Sequence, residues 1–256
     1  MWIKNKIDSG DCFRIIAGKN TCHLSKFDEG WLFHNVFGAE FPSNPLSIEK
    51  LESSPELSWK KILGGKGKQF ITHPALPDRP IVIKPSETFY IMPKASVWIY
   101  VNIPLWLQFY ENQANASSLI AESASIQLSS TWYGEPDNGI LAYALQKGFD
   151  TQVDEYSNPY HIICPVKVVN LATERISVSK LLVHTEFSSI FEINNKLFCN
   201  AYTMELKGDN MIVDVDLSTR APEFLGKATK VVGPRNPEKN NLIKKGYNYL
   251  KFLTNY

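Results

Sequence analysis

Apolar and polar residues alternate with a period of two along one stretch of the chain, from residue 97 to residue 110. The stretch reads V-W-I-Y-V-N-I-P-L-W-L-Q-F-Y, and every odd position is apolar. Successive side chains of a β-strand point to opposite faces, so this pattern predicts a strand with one face in a core. Pro104 cannot donate a hydrogen bond to a neighbouring strand, and it predicts a bulge, a bend or an edge position.

The even positions of the same stretch combine aromatic rings with polar groups. They include Trp98, Tyr100, Asn102, Trp106, Gln108 and Tyr110, which are the residues predicted for a ligand or partner surface. Three interpretations are open: the rings pack under another part of the chain, form a protein interface, or form a stacking platform on which Asn102 and Gln108 supply hydrogen bonds. Packing within the chain is favoured, because aromatic side chains dominate buried contacts.

Short strands separated by turn residues predict β structure over much of the remaining chain. Residues 126–145 and 187–206 each read as a hairpin, with turns at 134–139 and 194–196. This spacing, without helical crossovers, predicts a mostly β protein with an antiparallel β-sandwich architecture, arranged as two sandwich-like units. Helical patterns are confined to a short one at 47–59 and an amphipathic C-terminal helix at 237–253.

A polar, turn-rich segment near residues 145–160 predicts a domain boundary. The first unit, 1–150, would be β-rich and contain the aromatic strand. The second, 151–256, would be a smaller sandwich-like unit with the C-terminal helix. One compact domain is the alternative.

Charge is distributed unevenly although the net charge is only +1. From residue 220 onward there are eight Lys or Arg against two Glu, so 19 basic and 24 acidic residues remain for the preceding part. The basic tail either docks on the acidic body, which is favoured, or binds an anionic partner. Nucleic acid is a disfavoured partner, because the aromatics and the basic residues share no evident face.

Cysteine use and hydropathy predict a cytoplasmic protein. The four cysteines form no C-x-x-C pair and fit free thiols in a reducing compartment. Residues 1–10 lack the apolar run of a signal peptide, and no apolar segment reaches the ~18 residues of a membrane span.

The motifs that carry chemistry are absent or incomplete. Gly64–Lys68 reads G-G-K-G-K but lacks the spacing and the hydroxyl residue of a phosphate loop, so it is interpreted as a flexible basic loop. Cys22 and His23 with His34 lack a second zinc-ligand pair, and adjacent strand residues point oppositely. No nucleophile elbow is present. We therefore predict no catalytic residue, no metal and no cofactor.

Four short segments together resemble a known family. They are Trp132–Pro136, Cys164–Asn170, Asn195–Asn200 and Gly233–Arg235, in that order. The chain resembles, over about residues 75–250, the archaeal and bacterial family catalogued as domain of unknown function 432. The resemblance implies a standalone β-rich protein without an established activity, and it supplies no site residue.

The function predicted from these features is that of a non-enzymatic binding or scaffolding protein that uses a β-sheet surface. Its partner would be another protein or a small ligand. The alternative is a carbohydrate-binding or carbohydrate-active protein, with Trp98 and Trp106 stacking on sugar rings. A long exposed strand would also favour a homodimer through edge pairing.

Overall fold

The computed structural model of the chain describes residues 4–85, 87–134, 136–137, 139–146, 152–153, 158–207 and 212–237. The strands of the first half are β1 (Lys4–Lys6), β2 (Cys12–Ala17), β3 (Asn20–Phe27), β4 (Gly30–Phe37), β5 (Leu46–Leu51), β6 (Lys60–Leu63), β7 (Gln69–Ala75), β8 (Ile81–Lys84), β9 (Phe89–Ile91), β10 (Ser96–Pro104) and β11 (Trp106–Glu111). Those of the second half are β12 (Leu119–Ala124), β13 (Ser129–Tyr133), β14 (Ile140–Gln146), β15 (His161–Asn170), β16 (Ile176–Val178), β17 (Leu181–Val183), β18 (Ile190–Ile193), β19 (Lys196–Cys199), β20 (Tyr202–Lys207), β21 (Ile212–Leu217) and β22 (Thr229–Val232). Short 3₁₀ turns lie at Ala116–Ser118, Thr185–Phe187 and Glu223–Leu225.

The described residues group into two compact units. Unit 1 takes those within 1–75 and 104–127, and unit 2 those within 76–103 and 128–256. The predicted boundary near residue 150 lies inside unit 2, and β8 pairs there with β14 before the boundary and β17 after it. As a division into domains, the boundary stays a prediction.

Unit 1 contains two antiparallel sheets. Sheet A has the order β1-β7-β11-β12, and sheet B has the order β5-β2-β3-β4-β6. Rings from both sheets meet in the core of the unit: the centroids of Phe13 and Phe70 lie 5.0 Å apart, and those of Phe33 and Phe109 5.5 Å apart. Contacts of this kind join the apolar faces of sheets A and B.

Unit 2 contains three sheets with mixed pairing. Sheet C has the order β13-β14-β8-β17, sheet D pairs β16 with β9, and sheet E has the order β21-β20-β15-β19-β18-β22 with β10 also paired to β15. Buried clusters of apolar side chains support sheets C and E: Val82, Ala142 and Leu182 in the first, and Ile163, Ile193 and Phe198 in the second.

The mostly β prediction is confirmed, and each of the two predicted hairpin segments contains a hairpin. The second hairpin ends at Cys199, short of its predicted end, because β20 pairs with β15 and β21. Strand β13 pairs antiparallel with β14, and β18 with β19, whose turn places Asn194 and Asn195 at positive φ. Most of the described strand pairs are antiparallel as predicted, but unit 2 also contains the parallel pairs β8–β14, β15–β19 and β15–β20. Other strands, rather than helices, make the crossovers. The sandwich packing of the two units stays a prediction.

Two helix predictions have different outcomes. At 47–59 the prediction is wrong, because Leu46–Leu51 forms β5 and pairs with β2 along its whole length, so that tertiary pairing overrides a weak local helix preference. The C-terminal helix at 237–253 lies, beyond Pro237, outside the described residues.

The aromatic stretch forms two strands rather than one. Strand β10 ends at Pro104, the residue that predicts an irregularity, and β11 begins at Trp106. The apolar face is confirmed from residue 99 onward, whereas Val97 is half-buried. Exposure is 1% or less for Ile99, Val101, Ile103, Leu105, Leu107 and Phe109.

Candidate functional site

The structure divides the six predicted surface residues between the two units. Trp98, Tyr100 and Asn102 lie on β10 in unit 2, whereas Trp106, Gln108 and Tyr110 lie on β11 in unit 1. The two strands also have different partners, because β10 pairs with β15 while β11 pairs with β7 and β12.

The unit 2 residues of the set are half-buried against other side chains. The Trp98 ring lies 4.8 Å from that of Phe224, and Tyr100 packs against the cluster around Ile163 and Phe198. Desolvation by this packing raises the pKa of Tyr100. Asn102 is half-buried as well.

The unit 1 residues of the set are more deeply covered. Trp106 is 6% exposed and Gln108 8% exposed. The Gln108 amide donates to Glu122 Oε2 at 2.9 Å and accepts from the Tyr110 hydroxyl at 2.7 Å, while the Tyr110 ring lies 5.9 Å from that of His73. A ligand that stacked on Trp106 would first have to uncover it. The role of the six residues as a ligand or partner surface stays a prediction.

A different set of polar residues surrounds the glycine-rich loop that the sequence presents as a flexible basic loop. This loop, Gly64–Lys68, connects β6 to β7, and Gly64 and Gly65 have φ values of +92° and +82°. A Cβ atom at Gly65 or Gly67 would collide with the Glu111 side chain, and the Gly67 N–H donates to the Glu111 carboxylate. The glycines therefore allow a close, hydrogen-bonded contact that holds the loop against the end of β11.

Lys26, near the end of β3, projects toward this loop and is only 6% exposed. Its ammonium group donates to the carbonyl oxygens of Gly65 at 2.9 Å and Gly30 at 3.1 Å, and it lies 4.9 Å from the Trp31 ring centroid. Within the described ranges, no carboxylate lies at ion-pair distance from it. Lys26 is thus a buried cation with neutral partners.

A cavity of about 240 Å³ opens beside Lys26. Three segments line it: Ile7–Ser9, Lys26–Asp28 and Lys66–Lys68. Three lysines and two aspartates are among its lining residues, and the Ser9 hydroxyl donates to Asp28 Oδ1 at 2.6 Å. We call this site the lysine cavity.

Sequence reasoning missed Lys26. A lysine in a strand usually indicates a solvated position, and the loop residue Gly65 that receives its hydrogen bond is 39 residues away. The glycine-lysine loop was visible in the sequence, but no local signal connects it to β3.

Two histidines lie side by side on neighbouring strands of sheet B. His23 on β3 is in register with His34 on β4, and their ring centroids lie 6.1 Å apart. Burial, together with the charges of His34 and Arg14, lowers the pKa of His23. Among the described residues, no group of three or more His, Cys, Asp or Glu side chains is arranged to hold a metal ion.

Unit 2 buries a polar cluster around the 3₁₀ turn Thr185–Phe187. His184 Nδ1 lies 3.0 Å from Glu186 Oε1, and the Tyr202 hydroxyl, which lies 2.6 Å from Ser188 Oγ, donates to the His184 carbonyl at 2.8 Å. Burial raises the pKa of Tyr202 well above its ordinary value. These bonds tie the turn to β20, and we assign the cluster a structural role.

A family model for proteins of unknown function matches residues 1–251. The chain belongs to the DUF432 family. The match also covers the first 70 residues, which the resemblance in the sequence left out. No curated protein and no solved structure matches this DUF432 chain. Of the helices in the described ranges, none has the length and apolar character needed to cross a membrane.

Proposed function

We propose that this chain is a non-enzymatic binding protein of the cytoplasm and that the lysine cavity of unit 1 holds its ligand, a small molecule with a phosphate or carboxylate group. The observation that carries the proposal is the buried Lys26 ammonium group, which meets two carbonyl oxygens and a ring but no described carboxylate.

A buried charge is costly unless an opposite charge compensates for it. The two carbonyl oxygens and the Trp31 ring offset part of the desolvation of Lys26, and they engage two of its three N–H groups. An anionic group in the cavity would supply the missing counter-charge. Its hydrogen bond to an ammonium group would be of the stronger, charge-assisted kind.

The lining of the cavity limits the class of ligand. Lys66 and Lys68 are exposed at the rim and add positive charge, while Asp8, Ser9 and Asp28 could accept hydrogen bonds from hydroxyl or amino groups of the same ligand. A volume of about 240 Å³ is below the usual range for drug-sized ligands and fits a small metabolite.

The loop is held in place before any ligand binds. Glu111 accepts the Gly67 N–H from the side of sheet A, and Lys26 holds the Gly65 carbonyl. Preorganisation of this kind reduces the entropy that binding must cost.

The carbohydrate alternative receives no support from the positions of its two stacking residues. Trp106 is 6% exposed, and Phe224 lies against the Trp98 ring. A homodimer and a protein partner on the aromatic strands remain predictions.

The test measures thermal unfolding in inorganic phosphate and in chloride at equal ionic strength, for the wild type, Lys26→Met and Lys60→Met. Lys60 is an exposed lysine on β6 and serves as the matched control. A ligand present at 100 times its Kd stabilises the folded state by about 2.7 kcal/mol. We expect this specific stabilisation in the wild type and in Lys60→Met but not in Lys26→Met.

The general salting effect of phosphate acts on all three proteins alike, so the difference between variants is the readout. Lys26→Met should fold, because methionine fills a similar volume without a buried charge. Equal stabilisation of all three proteins would contradict the proposal. The same series with acetate and with sulfate separates a carboxylate site from a phosphate-like one.

A further inference from the structure

The second feature of sheet B that points to a ligand is the histidine pair on the strands β3 and β4. His23 and His34 are directly opposed in the antiparallel register, so both side chains emerge on the same face of the sheet. Cys22, the neighbour of His23, is completely buried and lies on the opposite face.

The spacing of the two rings suits a shared metal ion. In a histidine site the nitrogen–metal distance is ~2.1 Å, which places the centres of two rings on one ion about 5–6 Å apart. The centroids of His23 and His34 are 6.1 Å apart and the rings are tilted by 44°. Small side-chain rotations would therefore bring a nitrogen of each ring to the same ion.

The orientation of His34 is fixed by a backbone carbonyl. Its Nδ1 lies 2.9 Å from the Ser58 carbonyl oxygen, which can only accept a hydrogen bond. Nδ1 is therefore the donor, and Nε2 of the neutral ring carries the free electron pair. A carbonyl behind one ring nitrogen is the usual arrangement behind a metal-bound histidine.

One ring nitrogen of His23 is unsatisfied: its Nδ1 is buried and has no hydrogen-bond partner among the described residues. The Trp59 ring is steeply inclined to both histidine rings, with its centroid 6.5 Å from that of His23 and 6.3 Å from that of His34. Arg14, next to His23 in the sheet, is ion-paired with Glu49, which offsets its charge.

We propose that His23 and His34 form a binding site for one divalent ion of a late first-row transition metal, such as Ni²⁺, Cu²⁺ or Zn²⁺. Imidazole nitrogen is a ligand that these metals prefer, whereas Mg²⁺ and Ca²⁺ prefer oxygen. The chain supplies two ligands, and water completes the coordination. The site is independent of the lysine cavity.

The test is calorimetric titration of the tag-free full chain with Ni²⁺. We expect one ion per chain for the wild type, and no binding of Mg²⁺. His23→Gln and His34→Gln should each weaken binding roughly tenfold or more, because even outer-shell partners of a metal contribute that much. His73→Gln, which changes a histidine of β7 outside the pair, is the matched control and should bind as the wild type does.

The double variant His23→Gln/His34→Gln decides between a shared site and two separate ones. For a shared site, the double variant binds little worse than either single variant, because one substitution already removes the chelate. Additive losses, unchanged binding in either single variant, or an equal loss in His73→Gln would overturn the proposal.

A measurement on the wild type covers the case in which a variant fails to fold. Substoichiometric Cu²⁺ should broaden the ring NMR signals of His23, His34 and Trp59 before those of His73. Broadening that begins elsewhere would overturn the proposal.

Discussion

The thiol of Cys22 lies fully buried on β3, beside the side chains of Asn20 and Ser123. Burial raises its pKa from 9.0 to about 12. In the unfolded chain the thiol ionises near its ordinary value, so above that pH the unfolded state has lost a proton that the folded state retains. The free energy of unfolding therefore falls as pH rises between about 9 and 12.

At pH 10 this contribution reaches about 1.4 kcal/mol, because one pH unit corresponds to 1.36 kcal/mol. Urea unfolding at pH 8 and pH 10 measures it in the wild type and in Cys22→Ala. We expect the wild type to lose about 1.4 kcal/mol more than the variant between the two pH values, since ionising tyrosines contribute equally to both. An equal loss would contradict the buried state of this thiol.

Single residues differ in how far the sequence predicts their surroundings. The alternation from residue 97 to residue 110 identifies the buried odd positions, because the period of a strand is local. The absence of C-x-x-C pairs predicts free thiols, and all four cysteines are free and buried. Lys26 could not be predicted, because its partners are the Gly30 carbonyl at the start of β4 and the Gly65 carbonyl in a distant loop.

The element that positions the lysine cavity is the loop Gly64–Lys68. Gly65 and Gly10 both have positive φ, +82° and +91°, but their surroundings differ. A Cβ atom at Gly65 would lie 2.5 Å from the Glu111 carboxylate, whereas at Gly10 nothing lies within 4 Å. A side chain at Gly10 therefore adds backbone strain alone, whereas a side chain at Gly65 adds backbone strain and a steric conflict with Glu111.

Alanine at each position measures this difference. Gly10→Ala should cost about 1–2 kcal/mol, the strain of a left-handed conformation. Gly65→Ala should cost about 0.5–1.5 kcal/mol more, because the Glu111 carboxylate must turn away from the added methyl group and would give up its hydrogen bond with the Gly67 N–H. Denaturant unfolding gives both values. If the two substitutions cost the same, the contact between the loop and Glu111 does not hold the loop in place.

Strands and hairpins were predictable where their signals are local. Turn residues at 134–139 and 194–196 predict the hairpins β13–β14 and β18–β19, and Pro104 predicts the break between β10 and β11. The parallel pairs were not predictable, because β8 and β14 lie more than 50 residues apart and no helix marks the crossover. The helix prediction at 47–59 was wrong for a related reason. Strand β5 forms by pairing with β2, and the residues around it carry no signal of that pairing.

At the scale of the whole molecule, the path of the chain between the units has a consequence for fragments. Residues 76–103 leave unit 1 after β7 and return before β11. They contribute three strands to unit 2. There β8 pairs with β14 and β17, β9 pairs with β16, and β10 pairs with β15. A fragment that begins at residue 151 lacks all three strands and β14.

The two units of the structure and the boundary predicted near residue 150 lead to opposite expectations about which fragments fold. In sheet A, Ala75 is the register partner of Trp106, so the ends of the 76–103 excursion lie close together in unit 1. A chain of residues 1–127 in which a short Gly-Ser turn replaces 76–103 keeps every strand of sheets A and B, and we expect it to unfold cooperatively. The fragment 151–256 should not, because β16 lacks β9, β17 lacks β8, and β15 lacks β10, although it keeps β19 and β20. Circular dichroism and urea unfolding of both fragments decide the question. Cooperative unfolding of 151–256 alone would favour the boundary near residue 150, since its strands would then find enough pairing within their own half of the chain.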